Sequence, residues 1–191
     1  MKKIILLLSI LFLSCTENKQ TEIEVTSVNE KKEGKKVFEY YNDDVLEKKL
    51  EYINLCNKLY LNQGWYYNKK KELDFERSNF FQATIGKTKL KVNDTTLVKF
   101  YYKPTIKNSI RVLLLCQKKI DNYCEITTCK HFDTLYFKNN RLDYVQSFAK
   151  TGKRNIGGYI LEISRTMEKK KGKDFFKERR VYFKLPFEIV E

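Results

Sequence analysis

Five cysteines and one histidine carry most of the chemistry this 191-residue chain could perform, and their spacing limits what they can do. Cys116, Cys124, Cys129 and His131 follow one another at intervals of seven, four and one intervening residue. Structural zinc is held by paired short knuckles, and this spacing matches none of them. Cys129 and His131, two apart, would share one face of a strand, as a thiol nucleophile and its base must. No third residue or flanking motif orients that imidazole. A single His also excludes multi-histidine metal sites. Disulfide formation remains, and Cys56, Cys116, Cys124 and Cys129 allow three full pairings. A hairpin-scale bridge between Cys124 and Cys129 is sterically feasible. Cys56 and Cys116 lie in apolar tracts and read equally well as free, buried hydrophobes.

No other catalytic pattern stands out. The chain has no G-x-S-x-G, H-E-x-x-H, P-loop or Rossmann glycine arrangement. Asp43-Asp44 and Asp121-Asn122 are too sparse for a calcium loop. Gly157-Gly158 merely starts a strand. The expectation is a non-catalytic binding protein without a cofactor or metal.

Charge is the remaining signal. Thirty-eight Lys and Arg stand against 24 Asp and Glu, a net of +14. The clusters Lys69-Lys70-Lys71, Lys118-Lys119, Lys150/Lys153/Arg154, Lys169-Lys170-Lys171 with Lys173, and Arg179-Arg180 fall mainly at predicted loops, with Tyr and Phe nearby. Of these, Lys69 to Lys71, Lys169 to Lys171, Lys173, Arg179 and Arg180 are the candidate polyanion-binding residues. An acidic glycan, lipopolysaccharide or an acidic protein would suit them. Only seven of the 38 cations are Arg, which disfavours nucleic acid, where bidentate phosphate contacts favour Arg. Abundant Lys, Asn, Ile, Tyr and Phe also has a non-functional origin in AT-rich coding sequence.

The N-terminus has a distinct organisation. Lys2 and Lys3 precede an apolar run from Ile4 to Leu13, broken only by Ser9. Ten residues cover about 15 Å as a helix, half of the roughly 30 Å hydrocarbon core, so the run reads as a signal h-region rather than a span. Leu11-Phe12-Leu13-Ser14-Cys15 resembles the lipobox of bacterial lipoproteins, with Phe12 where Leu is usual. The resemblance covers about 15 residues. It implies a signal peptide over 1–14, cleavage before Cys15, lipidation of the Cys15 thiol, and a lipid anchor in a bacterial cell envelope, the outer membrane before the inner. Cleavage would lower the net charge from +14 to +12. Two or three acyl chains make such anchoring stable, where one is marginal. An oxidising envelope would permit disulfides.

Residues 15–36 read as the lipidated Cys and a flexible tether. The stretch from Thr16 to Lys36 is polar, with only Ile23, Val25 and Val28 apolar, and a coil of that length reaches about 25 Å. The alternative is a tail docked on the domain through Ile23-Glu24-Val25.

The elements that must position these residues come from 37–191, one β-rich domain. At 42% hydrophobic and 14% aromatic the chain can bury a core, and seven Gly with two Pro exclude collagen-like and Pro-rich classes. Asp44-Val45-Leu46-Glu47 has capping-box form. Leu46, Leu50, Ile53, Cys56 and Leu59 then recur at helical spacing, predicting one amphipathic helix over about 44–61, stopped near Gly64. Strands are predicted at 79–85, 95–103, 110–116, 132–138 and 144–149. The last pair is the most legible. Tyr159, Leu161 and Ile163 alternate with polar residues, as do Val181, Phe183, Leu185 and Phe187, joined by the basic loop of Lys169 to Lys173. Pro186 places that strand's end at an edge. Seven short strands imply an antiparallel β-sandwich, immunoglobulin-like in pattern, with the helix alongside. The functional expectation is an envelope lipoprotein acting as an interaction module in a larger assembly. Capture of an acidic partner is the second reading, and a hydrolase with a tertiary site the third.

Overall fold

Asp43 and Asp44 both take a left-handed backbone, with φ of 47° and 59°. That is the requirement of a type I′ hairpin turn, and Asp tolerates it. The turn joins β2 (Lys35–Asn42) to β3 (Val45–Leu55). Cys56 and Asn57, at 53° and 66°, make a second such turn into β4 (Lys58–Tyr66). The helix expected over 44–61 is therefore a β-hairpin, and its capping box is a turn. The misreading has a physical source. Leu50 points to one face of β3, and Ile53 and Leu55 point to the other. Leu50 and Ile53 are nonetheless both buried, because both faces of the strand are covered at its centre. Two apolar files on opposite faces mimic the three- and four-residue spacing of a helix.

The computed structural model describes residues 21–25, 34–170 and 173–191; the signal segment 1–14 and Cys15 lie outside the described residues. Within the stretch read as a tether, β1 (Thr21–Val25) pairs antiparallel with β2, with Ile23 opposite Glu39.

The remaining elements are β5 (Phe81–Ile85), β6 (Lys89–Lys91), β7 (Thr95–Tyr102), β8 (Ser109–Cys116), the single-turn helix α1 (Cys124–Thr127), β9 (Phe132–Tyr136), β10 (Arg141–Ser147), β11 (Gly152–Lys170) and β12 (Lys173–Val190). A third left-handed pair, Asn139-Asn140, turns the chain between β9 and β10. The strands form three sheets, ordered β1-β2-β3-β4, β10-β7-β5 and β6-β12-β11-β8-β9. The fold is mainly β and its pairings are antiparallel, except that β6 runs parallel to the end of β12. That pairing gives Glu188 and Ile189 a neighbour on each side, so the edge expected after Pro186 is covered there.

The second and third sheets face each other across one core. Val98, Phe100 and Tyr102 of β7 and Leu142 of β10 meet Leu113, Ile160, Val181 and Phe183 of the third sheet. Phe100 and Phe183 make an edge-to-face contact at 5.1 Å. The other face of the third sheet is covered too. Tyr182 of β12 packs with Ile53 of β3 and with Ile120, Tyr123 and Ile126 around α1. A strand buried on both faces loses its polar alternation, which accounts for the continuous IRVLLLC run of β8. Close approach sets one further residue. A Cβ on Gly158 of β11 would lie 2.0 Å from the Leu114 carbonyl oxygen of β8.

Candidate binding surfaces

The four described cysteines form two bridges, Cys56–Cys124 and Cys116–Cys129. The Cys124–Cys129 pairing is overturned, and so is the reading of Cys56 and Cys116 as free thiols. The reason is tertiary. Cys56 occupies the β3–β4 turn, and that hairpin lies against α1, which presents Cys124. Cys116 ends β8 beside the loop that carries Cys129. With all four sulfurs bonded, neither a zinc set nor a Cys129 nucleophile has a thiolate to offer, and His131 follows a cystine rather than a thiol.

The candidate cations are dispersed. Lys69, Lys70 and Lys71 are exposed on the loop closed by the Tyr67–Leu73 bridge, where the Asn68 side chain accepts from the Lys70 and Glu72 amides at 2.9 and 3.1 Å. Lys169 is exposed near the tip of the β11–β12 hairpin, and Lys170 and Lys173 pair there along the backbone. Lys171 lies outside the described residues. Arg179 is not a surface cation at all. Its guanidinium points inward, donating to the Asn62 carbonyl at 2.9 Å, the Asn79 side-chain oxygen at 2.6 Å and the Tyr102 hydroxyl at 3.4 Å. Arg180 is paired with Glu178 at 2.7 Å and lies over the Tyr159 ring.

Arg179 borders the cluster that most resembles a catalytic centre. Glu162 is fully buried, and each of its carboxylate oxygens accepts three hydrogen bonds. Oε1 receives the Thr105 and Ile106 amides and the Ser109 hydroxyl. Oε2 receives the Tyr102 and Thr105 hydroxyls and, at 3.2 Å, the Thr105 amide. Burial pushes the Tyr102 hydroxyl far above its ordinary range, against the opposing pull of Arg179. Such a carboxylate is saturated. No lone pair remains unused, and Glu162 fastens the loop after β7 to β11.

The side chains left uncommitted lie on the outer face of the second sheet. Along β7, Val98, Phe100 and Tyr102 point into the core, and Leu97, Lys99 and Tyr101 point out. The pairing places Gln82 and Arg141 on either side of Tyr101, and Thr84 and Asp143 on either side of Lys99. Phe75, 53% exposed, leans over this face, closing a groove of about 480 Å³. Val145, 65% exposed, sits opposite Leu97 and extends the face as an apolar pair. Among the described residues none of Gln82, Lys99, Arg141 or Asp143 makes a side-chain hydrogen bond or ion pair. Sequence analysis did not single this face out, although the in-and-out alternation of TTLVKFYYK was there to find it.

Among the described residues, no helix is long and apolar enough to cross a membrane. Compared with known proteins, the chain is matched by no family model, no curated protein and no solved structure.

Proposed function

We propose that this protein is a lipid-anchored component of a bacterial cell envelope, built on a β-sandwich, that works without catalysis by holding a protein partner. The outer face of the β10-β7-β5 sheet carries this reading. It offers rings at Phe75 and Tyr101, apolar side chains at Leu97 and Val145, and unpaired polar groups at Gln82, Lys99, Arg141 and Asp143. Interfaces concentrate binding energy in a few aromatic and Arg anchors inside a polar surround, and this face has that make-up. The lipobox-like N-terminus supports the location. Two disulfides fit an oxidising compartment.

The test is recovery of partners from envelope extracts by the intact, lipidated protein, washed at low and then high salt. Wild type is expected to retain its partner through high salt, and Tyr101→Ala with Val145→Asp to lose it. Unchanged retention by that double variant overturns the assignment of the face. The sandwich reading rests on the core shared by the second and third sheets, and the parallel β6–β12 pairing departs from an all-antiparallel immunoglobulin-like pattern.

A further inference from the structure

Lys184 is a buried ammonium without a counter-ion. Its residue is 9% exposed, and Nζ donates at 3.2 Å to the backbone carbonyl of Asp121 and lies over the Tyr123 ring. Among the described residues no carboxylate pairs with it. Withdrawing a cation from water without an opposite charge is costly, and one carbonyl and a ring face offset only part of that cost.

Lys184, Pro186 and Glu188 alternate along β12 and so share one face. Pro186 and Glu188 open into a cleft of about 450 Å³, lined also by Lys89, Lys119, Lys153 and Arg154 and by Asp121 itself. By register Arg154 stands opposite the core residue Phe187 and its side chain leaves the other face, so two carboxylates answer the four lysines Lys89, Lys119, Lys153 and, behind them, Lys184. Asp121 pairs with Lys119 at 3.0 Å, with both side chains at least half exposed. Such a solvent-exposed pair is weak, so an incoming anion can replace it. Glu188 stands in register between Lys153 of β11 and Lys89 of β6. A surplus of two positive charges remains. One carboxylate would answer half of it, and one phosphate group, at about −1.5 to −2, would answer nearly all. The volume suits a small ligand rather than a polymer. Lysines bind phosphate as point charges.

We propose that this cleft binds a small ligand through a phosphate group held by Lys89, Lys119 and Lys153, with Lys184 supplying a fixed charge behind them. The proposal is independent of the partner face on the second sheet.

Inorganic pyrophosphate is the probe, followed by amide chemical shifts and thermal midpoint at about physiological salt. Wild type is expected to show shifts confined to residues 88–89, 119–121, 153–155 and 186–188. Lys119→Glu with Lys153→Glu should weaken binding at least tenfold, and Lys69→Glu with Lys70→Glu, the same charge change elsewhere, should leave it within about twofold. Equal losses in the two double variants would mean diffuse attraction and overturn the site. Lys184→Met separates a binding charge from a structural one. It should weaken pyrophosphate binding and hold or raise the thermal midpoint of the free protein, since an uncompensated charge is replaced by an apolar isostere. A lowered midpoint with unchanged affinity overturns the role given to Lys184. Displacement of pyrophosphate by cardiolipin-doped phosphatidylcholine vesicles would support the site and put the ligand in a bilayer headgroup. Displacement only by soluble fructose 1,6-bisphosphate would support it with a soluble ligand. Displacement by neither overturns it.

Discussion

Asn62 grips both sides of Tyr182. Its side-chain amide nitrogen donates to the Tyr182 carbonyl at 2.9 Å, and its side-chain oxygen accepts from the Tyr182 amide at 2.8 Å. The same nitrogen donates to the Glu51 carboxylate at 2.7 Å, and Gln63 donates there at 2.8 Å. An amide side chain thus extends β12 sideways into the first sheet, across 120 residues of sequence. Asn62→Leu strands the Tyr182 peptide groups in a buried place. It should lower the unfolding free energy by about 3 kcal/mol, read by chemical denaturation. A loss under about 1 kcal/mol would mean water replaces the amide.

The two disulfides should differ in weight. Cys56–Cys124 closes a loop of 68 residues and Cys116–Cys129 one of 13. The loop-entropy relation puts their contributions at about 4 and 3 kcal/mol. Cys56→Ser with Cys124→Ser should therefore destabilise more than Cys116→Ser with Cys129→Ser. Thiol alkylation without reductant should label none of these four residues, and labelling of all four would refute both bridges.

Buried tyrosines predict alkaline lability. Burial raises the hydroxyls of Tyr102, Tyr144, Tyr60 and Tyr159 above their ordinary value. A group raised on folding keeps its full stabilisation below the unfolded value, about 10 for Tyr, and loses it as pH climbs through the folded value. Unfolding by circular dichroism should therefore coincide with phenolate absorbance above about pH 10. The Tyr144 hydroxyl is buried without a partner. Tyr144→Phe should leave neutral stability unchanged or higher and move the alkaline midpoint upward. A midpoint that stays put would place the ionising group elsewhere.

Glu162 predicts a loop release. Glu162→Leu removes the acceptor for Thr105, Ile106 and Ser109 at once. Amide hydrogen exchange over 103–109 should accelerate well beyond that of β7. Uniform acceleration across the whole domain would show global loss of stability instead.

The lipid anchor has its own test. Cys15→Ser should abolish incorporation of labelled fatty acid and leave the precursor uncut. Persistent labelling would place the modification elsewhere.

Most strands from Phe81 onward were legible, the three-residue β6 excepted: β7 alternates because Val98, Phe100 and Tyr102 face the core while Leu97, Lys99 and Tyr101 do not, and β8 shows as a continuous apolar run. The β3–β4 hairpin was not, because Leu50 and Ile53 are buried on opposite faces. The cystine pairing could not be read, since Cys56 meets Cys124 only after the hairpin docks on α1. Arg179 looked like a surface cation because a charge run does not reveal which member turns inward toward Asn62, Asn79 and Tyr102. The cationic cleft was half visible. Lys119 and Lys153 belong to clusters marked by the sequence, and Lys89 and Lys184 join them only through the β6–β12–β11 pairing.

The pairing of β1 with β2 changes the geometry of life at a membrane. With a lipid at Cys15, five residues separate the anchor from the first paired residue, Thr21. Fully stretched, that link spans about 20 Å. A domain so held is a low-riding float rather than a kite. Its encounters become a search in two dimensions, and only partners that present their contact surface close to the same leaflet can be caught.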